Sequence, residues 1–371
     1  MLKRFFNKPT MSESEPMSFR DRSRAFWRWF SENADTFYQA IENGDFDPHV
    51  ETVTQRMEQL LPGAAWCFGP GENGVGHSFT LSPEGSPYMA LLMTHLVKQA
   101  PDLEGWTFYD SRQASPNFDG MKMNIADETI SAQEIWVTPS VDADRETIDL
   151  VCWAPVFEKL PERDRGQIIF LWLDEAIGEF QVGNRLGYID INTSGLQNAI
   201  PLSELPDYIK EMETKHGWER KTPGEYYTGY NFREPKEFDP EHVRSDIFTG
   251  TSLLYELSSD FSRDRGQMEH PLPKLGVDFI FIKIPVELFA PGQQVDERGE
   301  IEDALETVLD EQDSGIVLGG AAGHQAMYVE LAILDAEHAL SAIRKVLEES
   351  EFGKAAQVYY FDKERVAKPI W

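Results

Sequence analysis

The chain has 371 residues, of which 41% are hydrophobic and 12% aromatic, enough for packed cores in two or more domains. Its 64 acidic residues outnumber its 34 lysines and arginines, giving a formal charge of −30 at pH 7. A surface this acidic repels phosphate backbones and anionic membranes, so we expect neither nucleic acid nor membrane as a partner.

The two cysteines, Cys67 and Cys152, show none of the paired spacings that hold a metal or a redox disulfide. They provide no disulfide framework of the kind typical of secreted domains. The basic residues 1–7 precede no apolar core of signal-peptide length, and the longest continuous apolar run, residues 168–173, is far shorter than the roughly 20 residues that span a bilayer. These features predict a cytoplasmic protein.

The first predicted helix carries a strongly aromatic face. Residues 1–17 have the composition of a flexible leader, and the helical pattern begins at Phe19. The sequence Phe-Trp-x-Trp-Phe at 26–30, followed by acidic helical sequence, resembles the opening helix of a family of uncharacterised bacterial α+β proteins with no assigned function. This resemblance covers mainly the helix and implies no catalytic residues. The acids that follow favour a helix packed on its own domain over one that binds an anionic membrane.

Residues 48–110 predict a small α+β arrangement. Its elements run in the order helix, strand, strand, helix, strand, at 48–61, 64–68, 75–81, 88–98 and 106–110. The pair Asn73-Gly74 between the first two strands suits a tight hairpin turn.

The middle of the chain predicts a different arrangement. Strand patterns occur at 121–125, 135–138, 147–153 and 185–191, and helical patterns at 161–179 and 203–215. Residues 216–245 are rich in charge, proline and glycine, as linkers are. We therefore predict an N-terminal α+β domain at 18–215, a linker region at 216–245 and a C-terminal domain at 246–371.

The C-terminal region specifies a fold by its pattern alone. Strand, helix, strand, strand, helix and strand are predicted at 277–285, 300–311, 315–319, 327–334, 335–352 and 357–361. This βαββαβ order matches the ferredoxin-like split βαβ arrangement, in which two helices cover one face of a four-stranded antiparallel sheet. The predicted fold class is therefore α+β with two domains.

The first strand of this C-terminal unit is apolar on both faces. Phe279 and Phe281 point one way, whereas Ile280 and Ile282 point the other. Because the helices cover one face of such a sheet, the other face must also be covered. We expect the other domain, a second subunit or a ligand to cover it, and favour packing of the two sheet units against each other.

Residues 48–110 echo residues 300–362. The element order is the same, and Gly76-His77 corresponds to Gly323-His324. The echo predicts either a diverged internal repeat or a chance likeness of two common α+β motifs. In a repeat, His77 and His324 would be equivalent, and they could flank a ligand site or transfer protons. A histidine that caps a strand end is the simpler interpretation.

The acids best suited to metal or acid–base chemistry are Asp174, Glu175 and Glu179, because 175 and 179 lie one turn apart on one face of the predicted helix. Di-metal carboxylate helices add a histidine three residues from a ligand, and the chain has none there. The other histidines show no zincin spacing. We therefore predict no metal and no cofactor, and interpret these acids as solvated.

The sequence supports two hypotheses about function. The favoured one is a non-catalytic cytosolic module, monomeric or homodimeric, that binds a small molecule or a protein partner. The other is a hydrolase or lyase with an interdomain site that uses His77 or His324 with Glu175 or Glu179. The chain contains no Gly-x-Ser-x-Gly or Ser-x-x-Lys motif, which lowers the expectation of nucleophilic catalysis, although triads can assemble from distant residues.

Overall fold

A computed structural model describes residues 17–125, 128–219, 224–232, 242–366 and 369–370. The predicted leader, apart from Met17, and much of the predicted linker lie outside these residues. Across the described residues, no helix combines the length and the apolarity that a membrane span requires.

The protein belongs to the α+β class, as predicted. The α-helices are α1 (Phe19–Glu42), α2 (Asp47–Leu60), α3 (Pro87–Lys98), α4 (Glu162–Ile177), α5 (Glu179–Arg185), α6 (Leu205–His216), α7 (Tyr255–Arg263), α8 (Gln294–Gln312) and α9 (Ala336–Glu349). The strands are β1 (Ala65–Pro70), β2 (His77–Ser82), β3 (Trp106–Tyr109), β4 (Lys122–Ile125), β5 (Glu128–Ser131), β6 (Trp136–Asp142), β7 (Thr147–Trp153), β8 (Leu186–Ile191), β9 (Ile200–Pro201), β10 (Thr228–Asn231), β11 (Ile247–Ser252), β12 (Asp278–Pro285), β13 (Gly315–Gly323), β14 (Ala326–Ile333) and β15 (Gln357–Tyr360).

The chain divides into two compact units. The ferredoxin-like unit comprises Met1–Phe26, Asn231–Gly250 and Asp260–Trp371, and the N-terminal unit comprises Trp27–Tyr230 and Thr251–Ser259. The first turns of α1 therefore group with the C-terminal sequence, whereas the sequence pattern places 18–215 in one domain. The reason is local: the Phe19 N–H donates to the Gly276 carbonyl at 2.9 Å, and the Arg20 N–H to the Leu334 carbonyl at 3.1 Å.

The ferredoxin-like unit has the topology that its sequence predicts. Its sheet contains the order β13-β14-β12-β15, in which each of the three neighbouring pairs is antiparallel. A further strand, β11, follows β13 in the same sheet. The apolar stripes of α8 and α9 pack on the face that carries Ile280 and Ile282, where they form one hydrophobic core.

The opposite face of this sheet is covered by residues of the same unit. The Phe261 ring lies 5.9 Å from the Phe281 ring, and the Arg244 guanidinium lies 4.9 Å over the same ring. Arg244 pairs there with the fully buried Glu330. The face is covered, as expected, but at these residues the cover is neither another domain, a second subunit nor a ligand. The sequence did not reveal it because Arg244 belongs to the polar segment interpreted as linker.

The N-terminal unit begins with a small aromatic layer. The helix α1 packs on the sheet β1-β2-β3, and the Phe30 ring lies 5.0 Å from Phe79, 5.1 Å from Trp106 and 5.2 Å from Phe108. The aromatic face predicted for this helix therefore packs on its own unit. The element order predicted for 48–110 is confirmed, but β2 and β3 are parallel neighbours. In the ferredoxin-like unit, β12 lies between β14 and β15. In the described residues of the N-terminal unit, no strand lies between β2 and β3.

The second sheet of the N-terminal unit has the order β8-β7-β6-β9. Its strands β6 and β7 are antiparallel, whereas β7 and β8 are parallel. The alternating residues Ile148, Leu150 and Cys152 of β7 are buried in a core shared with α4 and α6. The helix α4, which packs in this core, carries Asp174 among its buried residues.

Candidate functional site

Asp174 of α4 and Glu179 of α5 lie close to each other because α4 ends just before Gly178. This glycine has a φ of 85°, which L-residues rarely adopt, and its N–H donates to the Asp174 carbonyl at 2.8 Å. The chain then turns into α5, whose first residue is Glu179. The prediction that Glu175 and Glu179 share one face of a single helix is therefore wrong, because the helix ends between them.

The Glu179 carboxylate is buried and accepts three hydrogen bonds. Its Oε1 accepts from the Ser82 hydroxyl at 3.0 Å and from the Gly85 N–H at 3.3 Å. Its Oε2 accepts from the Arg112 N–H at 3.2 Å. Since Ser82 ends β2, the carboxylate connects the three-stranded sheet to α5, which is a structural role.

The Arg112 side chain is surrounded by three carboxyl groups, those of Glu84, Asp174 and Glu179. Its Nη1 donates to Asp174 Oδ2 at 3.1 Å, and its Nη2 pairs with Glu84. Burial, reinforced by the negative charge of Glu179, raises the pKa of Asp174 to about 7, although Arg112 acts in the opposite direction. Near neutral pH, Asp174 therefore exchanges a proton readily, as a general acid or base must.

Two further groups lie in the field of Arg112. Glu175 is half-buried, and burial raises its pKa while Arg112 opposes the rise. Burial likewise raises the pKa of the Cys67 thiol, which favours the unreactive protonated form. We call Arg112 with its surrounding groups the Arg112 cluster; its other members are Cys67, Glu84, Asp174, Glu175 and Glu179.

His77 lies at the end of β2 that is remote from the Arg112 cluster. Its Nε2 is 2.9 Å from Glu42 Oε1, and its ring lies 4.7 Å from the Tyr38 ring. Ser82, the partner of Glu179, is the last residue of the same strand. A strand of this length separates its ends by about 17 Å, so His77 and Glu179 do not share one site.

His324 lies in the ferredoxin-like unit, in the turn between β13 and β14. Its N–H donates to the Asp246 carbonyl at 3.1 Å, and its ring lies 4.9 Å from the Phe248 ring. The Asp246 carboxylate also accepts from the N–H groups of Gln325 at 2.9 Å and Ala326 at 3.2 Å. Asp246 therefore holds this turn through hydrogen bonds to its backbone.

Within the described residues, no group of three or more His, Cys, Asp or Glu side chains has the geometry to hold a metal ion. One depression of about 170 Å³ lies between the β5 region and the turn after β7. Its lining residues are Thr129, Ile130, Glu134, Ala154, Pro155, Val156 and Lys159. Pockets for drug-sized ligands usually measure about 300 to 1,000 Å³, so this depression is small for a metabolite.

Among the described residues of the N-terminal unit, the most exposed aromatic side chain is on β8. Tyr188 is 68% exposed, and the Arg145 guanidinium lies 5.7 Å over its ring. The Tyr188 N–H donates to Asp149 Oδ1 at 2.7 Å. We use the name β8 edge for β8 together with residues 142–149, which comprise the turn between β6 and β7 and the first residues of β7. Its acids are Asp142, Asp144, Glu146, Asp149 and Asp190.

The sequence contained part of the signal for these two sites. The sequence pattern points to Asp174 and Glu179 as candidate acids, but it contains no signal that a loop arginine, Arg112, joins them. The pattern at 185–191 predicts a strand. Its exposure and its position at the end of a sheet became visible only in the fold.

Comparison of the chain with protein-family models, with curated proteins and with solved structures gave no match. The likeness of the N-terminal helix to an uncharacterised bacterial family therefore stays a prediction. The chemistry of the Arg112 cluster and of the β8 edge has to be argued from their own geometry.

Proposed function

We propose that this protein is a non-catalytic, cytosolic regulatory module that binds a protein partner with a basic surface. The observation that carries the proposal is Tyr188, a tyrosine that stays 68% exposed among acids on the β8 edge. Tyrosine is enriched at protein interfaces because its ring offers apolar area and its hydroxyl a polar contact. The net charge of −30 would attract a basic protein and speed its association.

The engagement of the candidate catalytic residues supports a non-catalytic role. Glu179 accepts three hydrogen bonds that hold the fold together. His77 Nε2 lies 2.9 Å from Glu42 Oε1, and the turn of His324 is fixed by Asp246.

We further propose that residues 48–110 and 300–362 are diverged copies of one unit. Their shared element order supports this idea. β12 precedes the copy 300–362 in the chain, so the proposal does not require a counterpart of β12 between β2 and β3. His77, the first residue of β2, and His324, which directly follows β13, would then be strand-end histidines in both copies.

Partner capture from the source cells tests the proposed function. The full chain and its Tyr188→Ser variant are immobilised, and retained proteins are quantified by mass spectrometry at low and high salt. We expect retention of a basic protein that falls about tenfold in Tyr188→Ser and on raising the salt. Val295→Ser, which removes a 60% exposed apolar side chain from α8, should retain the partner. Equal retention by all three proteins would contradict the proposal.

A second candidate function is acid–base catalysis at the Arg112 cluster, which keeps the hydrolase or lyase reaction class of the alternative hypothesis but not its histidines or its interdomain site. Asp174 favours it, because burial raises the pKa of this carboxyl to about 7. A screen of hydrolysable esters, phosphate esters and glycosides with the full chain and with Asp174→Asn tests it. Turnover that follows a group of pKa near 7 and is lost in Asp174→Asn would favour catalysis over the binding role.

A further inference from the structure

The strand β8 ends its sheet within the described part of the chain. The order β8-β7-β6-β9 places it at one side, with β7 as its only neighbour there. Gly187, Tyr188 and Asp190 are exposed along it. A terminal strand presents one row of backbone N–H and C=O groups away from its sheet, and such a row is a template for a further strand.

Hydrogen bonds on β8 show which residues present that outer row. The Tyr188 N–H donates to Asp149 Oδ1 at 2.7 Å, and the Asn192 N–H donates to the Cys152 carbonyl at 2.9 Å, so both point toward β7. Backbone groups alternate along a strand, and the N–H groups of Ile189 and Ile191 therefore point to the outer side. The side chains of these two isoleucines pack against the core, which fixes the strand in place.

Gly187 and Asp149 stabilise this end of β8. A Cβ atom at Gly187 would lie 2.2 Å from Asp149 Oδ1, so only glycine leaves room for the carboxylate that accepts the Tyr188 N–H. The register of β7 and β8 shifts between Ile148 and Leu150, beside this contact. Asp149 thereby satisfies a donor at the irregularity, and the outer row remains in strand geometry.

The charges around this row select a basic occupant. Five acids on the β8 edge stand against one arginine, Arg145. Arg145 itself is 3.7 Å from Asp142. Acids without matching cations attract lysine and arginine side chains, and like charge excludes acidic segments.

We propose that the outer side of β8 receives an extended, lysine- or arginine-bearing segment of a protein partner as an added strand. The backbone of the segment would bond to Ile189 and Ile191, and its cationic side chains would face Asp149 and Asp190. Alternate side chains could contact the Tyr188 ring. This strand addition rests on the proposed function, for which it names the binding mode and the chemistry of the partner segment.

A defined peptide tests the strand addition. The probe is a fluorescent decapeptide of alternating lysine and valine, and its affinity for the full chain is measured by anisotropy. Two further peptides carry N-methyl groups on alternate residues, one on the lysines and the other on the valines. Only one of these two sets of N–H groups can face β8, so we expect one methylated peptide to bind about tenfold more weakly and the other to bind like the parent.

Substitutions in β8 provide the matched test. Ile189→Pro removes one outward N–H, and proline is tolerated on a terminal strand where the N–H faces away from the sheet. We expect Ile189→Pro to weaken the parent peptide about tenfold, whereas Ile189→Val leaves its affinity unchanged. Equal unfolding midpoints of the two variants in urea confirm that the fold is kept. If Ile189→Pro proves less stable, the comparison of the two methylated peptides still tests whether a strand is added at β8.

The results that overturn the strand addition are distinct from those that overturn the proposed function. No saturable binding of the parent peptide, or equal binding of both methylated peptides, would show that no strand forms at β8. If Tyr188→Ser still abolishes capture of the cellular partner, the protein-binding role stands and the partner docks by its side chains alone. Equal capture by Tyr188→Ser together with register-dependent peptide binding would contradict the proposed function, which is carried by Tyr188, but would keep the added strand at β8.

Discussion

Arg112 Nη1 donates to Asp174 Oδ2 at 3.1 Å, and yet burial raises the pKa of that carboxyl to about 7. The guanidinium also pairs with Glu84, so its positive charge is shared. The nearby Glu179 carboxylate adds negative charge, and burial disfavours a further anion. A buried ion pair thus has a cost that its single arginine does not offset, and this cost depends on pH.

Replacing Asp174 should remove a pH dependence of stability. The folded pKa is about 7, above the ordinary aspartate pKa of 3.8, so between these values the folded chain holds a proton that the unfolded chain has lost. The resulting stabilisation is complete below the unfolded pKa and is lost as the pH rises through 7, with a slope of at most about 1.4 kcal/mol per pH unit. In urea unfolding, Asp174→Asn should therefore be more stable relative to the parent at about pH 8 than at about pH 5, by about 1 to 2 kcal/mol.

The matched control for this prediction is Glu58→Gln, which neutralises an exposed acid on α2. It should change the free energy of unfolding by the same small amount at both pH values. If Asp174→Asn and Glu58→Gln show parallel pH profiles, Asp174 does not hold a proton in the folded chain at pH 5.

Removing the Glu179 carboxylate should destabilise the N-terminal unit strongly. Its oxygens accept from the Ser82 hydroxyl, the Gly85 N–H and the Arg112 N–H, and these donors would lose their acceptor. Glu179→Ala should lower the free energy of unfolding by about 2 to 4 kcal/mol in urea, because each buried unsatisfied donor costs about 1 kcal/mol or more. Glu175→Ala, at a half-buried neighbour, should cost clearly less. Equal costs would mean that the three bonds contribute no net stability.

The sequence predicted most elements of the fold but not what joins them. The strand pattern around Ile280 and the stripes of α8 and α9 specified the ferredoxin-like topology, because hydrophobic periodicity is a local signal. The cover of its opposite face was missed, since it depends on Arg244, a charged residue within a polar segment. The sequence predicted the acids of the Arg112 cluster on α4 and α5 but not Arg112 itself. Acids near a helix end are visible in a sequence, whereas tertiary contacts place the loop arginine beside them.

The pair of Arg244 and Glu330 should show strong coupling in the ferredoxin-like unit. Both side chains are buried, and the guanidinium lies 4.8 Å over the Phe361 ring and 5.1 Å over the Tyr328 ring. Arg244→Met removes the cation that faces the buried carboxylate and should cost about 3 to 5 kcal/mol. Arg244→Met with Glu330→Gln should recover a large part of that loss, because neither charge of this pair is then left buried without its partner. A double variant whose cost equals the sum of the two single costs would show that the two residues act independently.

Two glycines of the ferredoxin-like unit should respond to alanine in opposite directions. At Gly320, on β13, a Cβ atom would lie 2.3 Å from Glu302 Oε1 and 2.7 Å from Arg298 Nε, which form a half-buried ion pair. Because the Tyr328 carbonyl is also only 2.6 Å away, the clash involves backbone and cannot be relieved by a side-chain movement alone. Gly320→Ala should therefore lower the free energy of unfolding by about 2 kcal/mol or more.

At Gly299, inside α8, nothing lies within 4 Å of the added Cβ, and alanine should stabilise the helix by up to about 1 kcal/mol. Urea unfolding of both variants measures the contrast, and a neutral Gly320→Ala would mean that the strand and α8 separate at little cost.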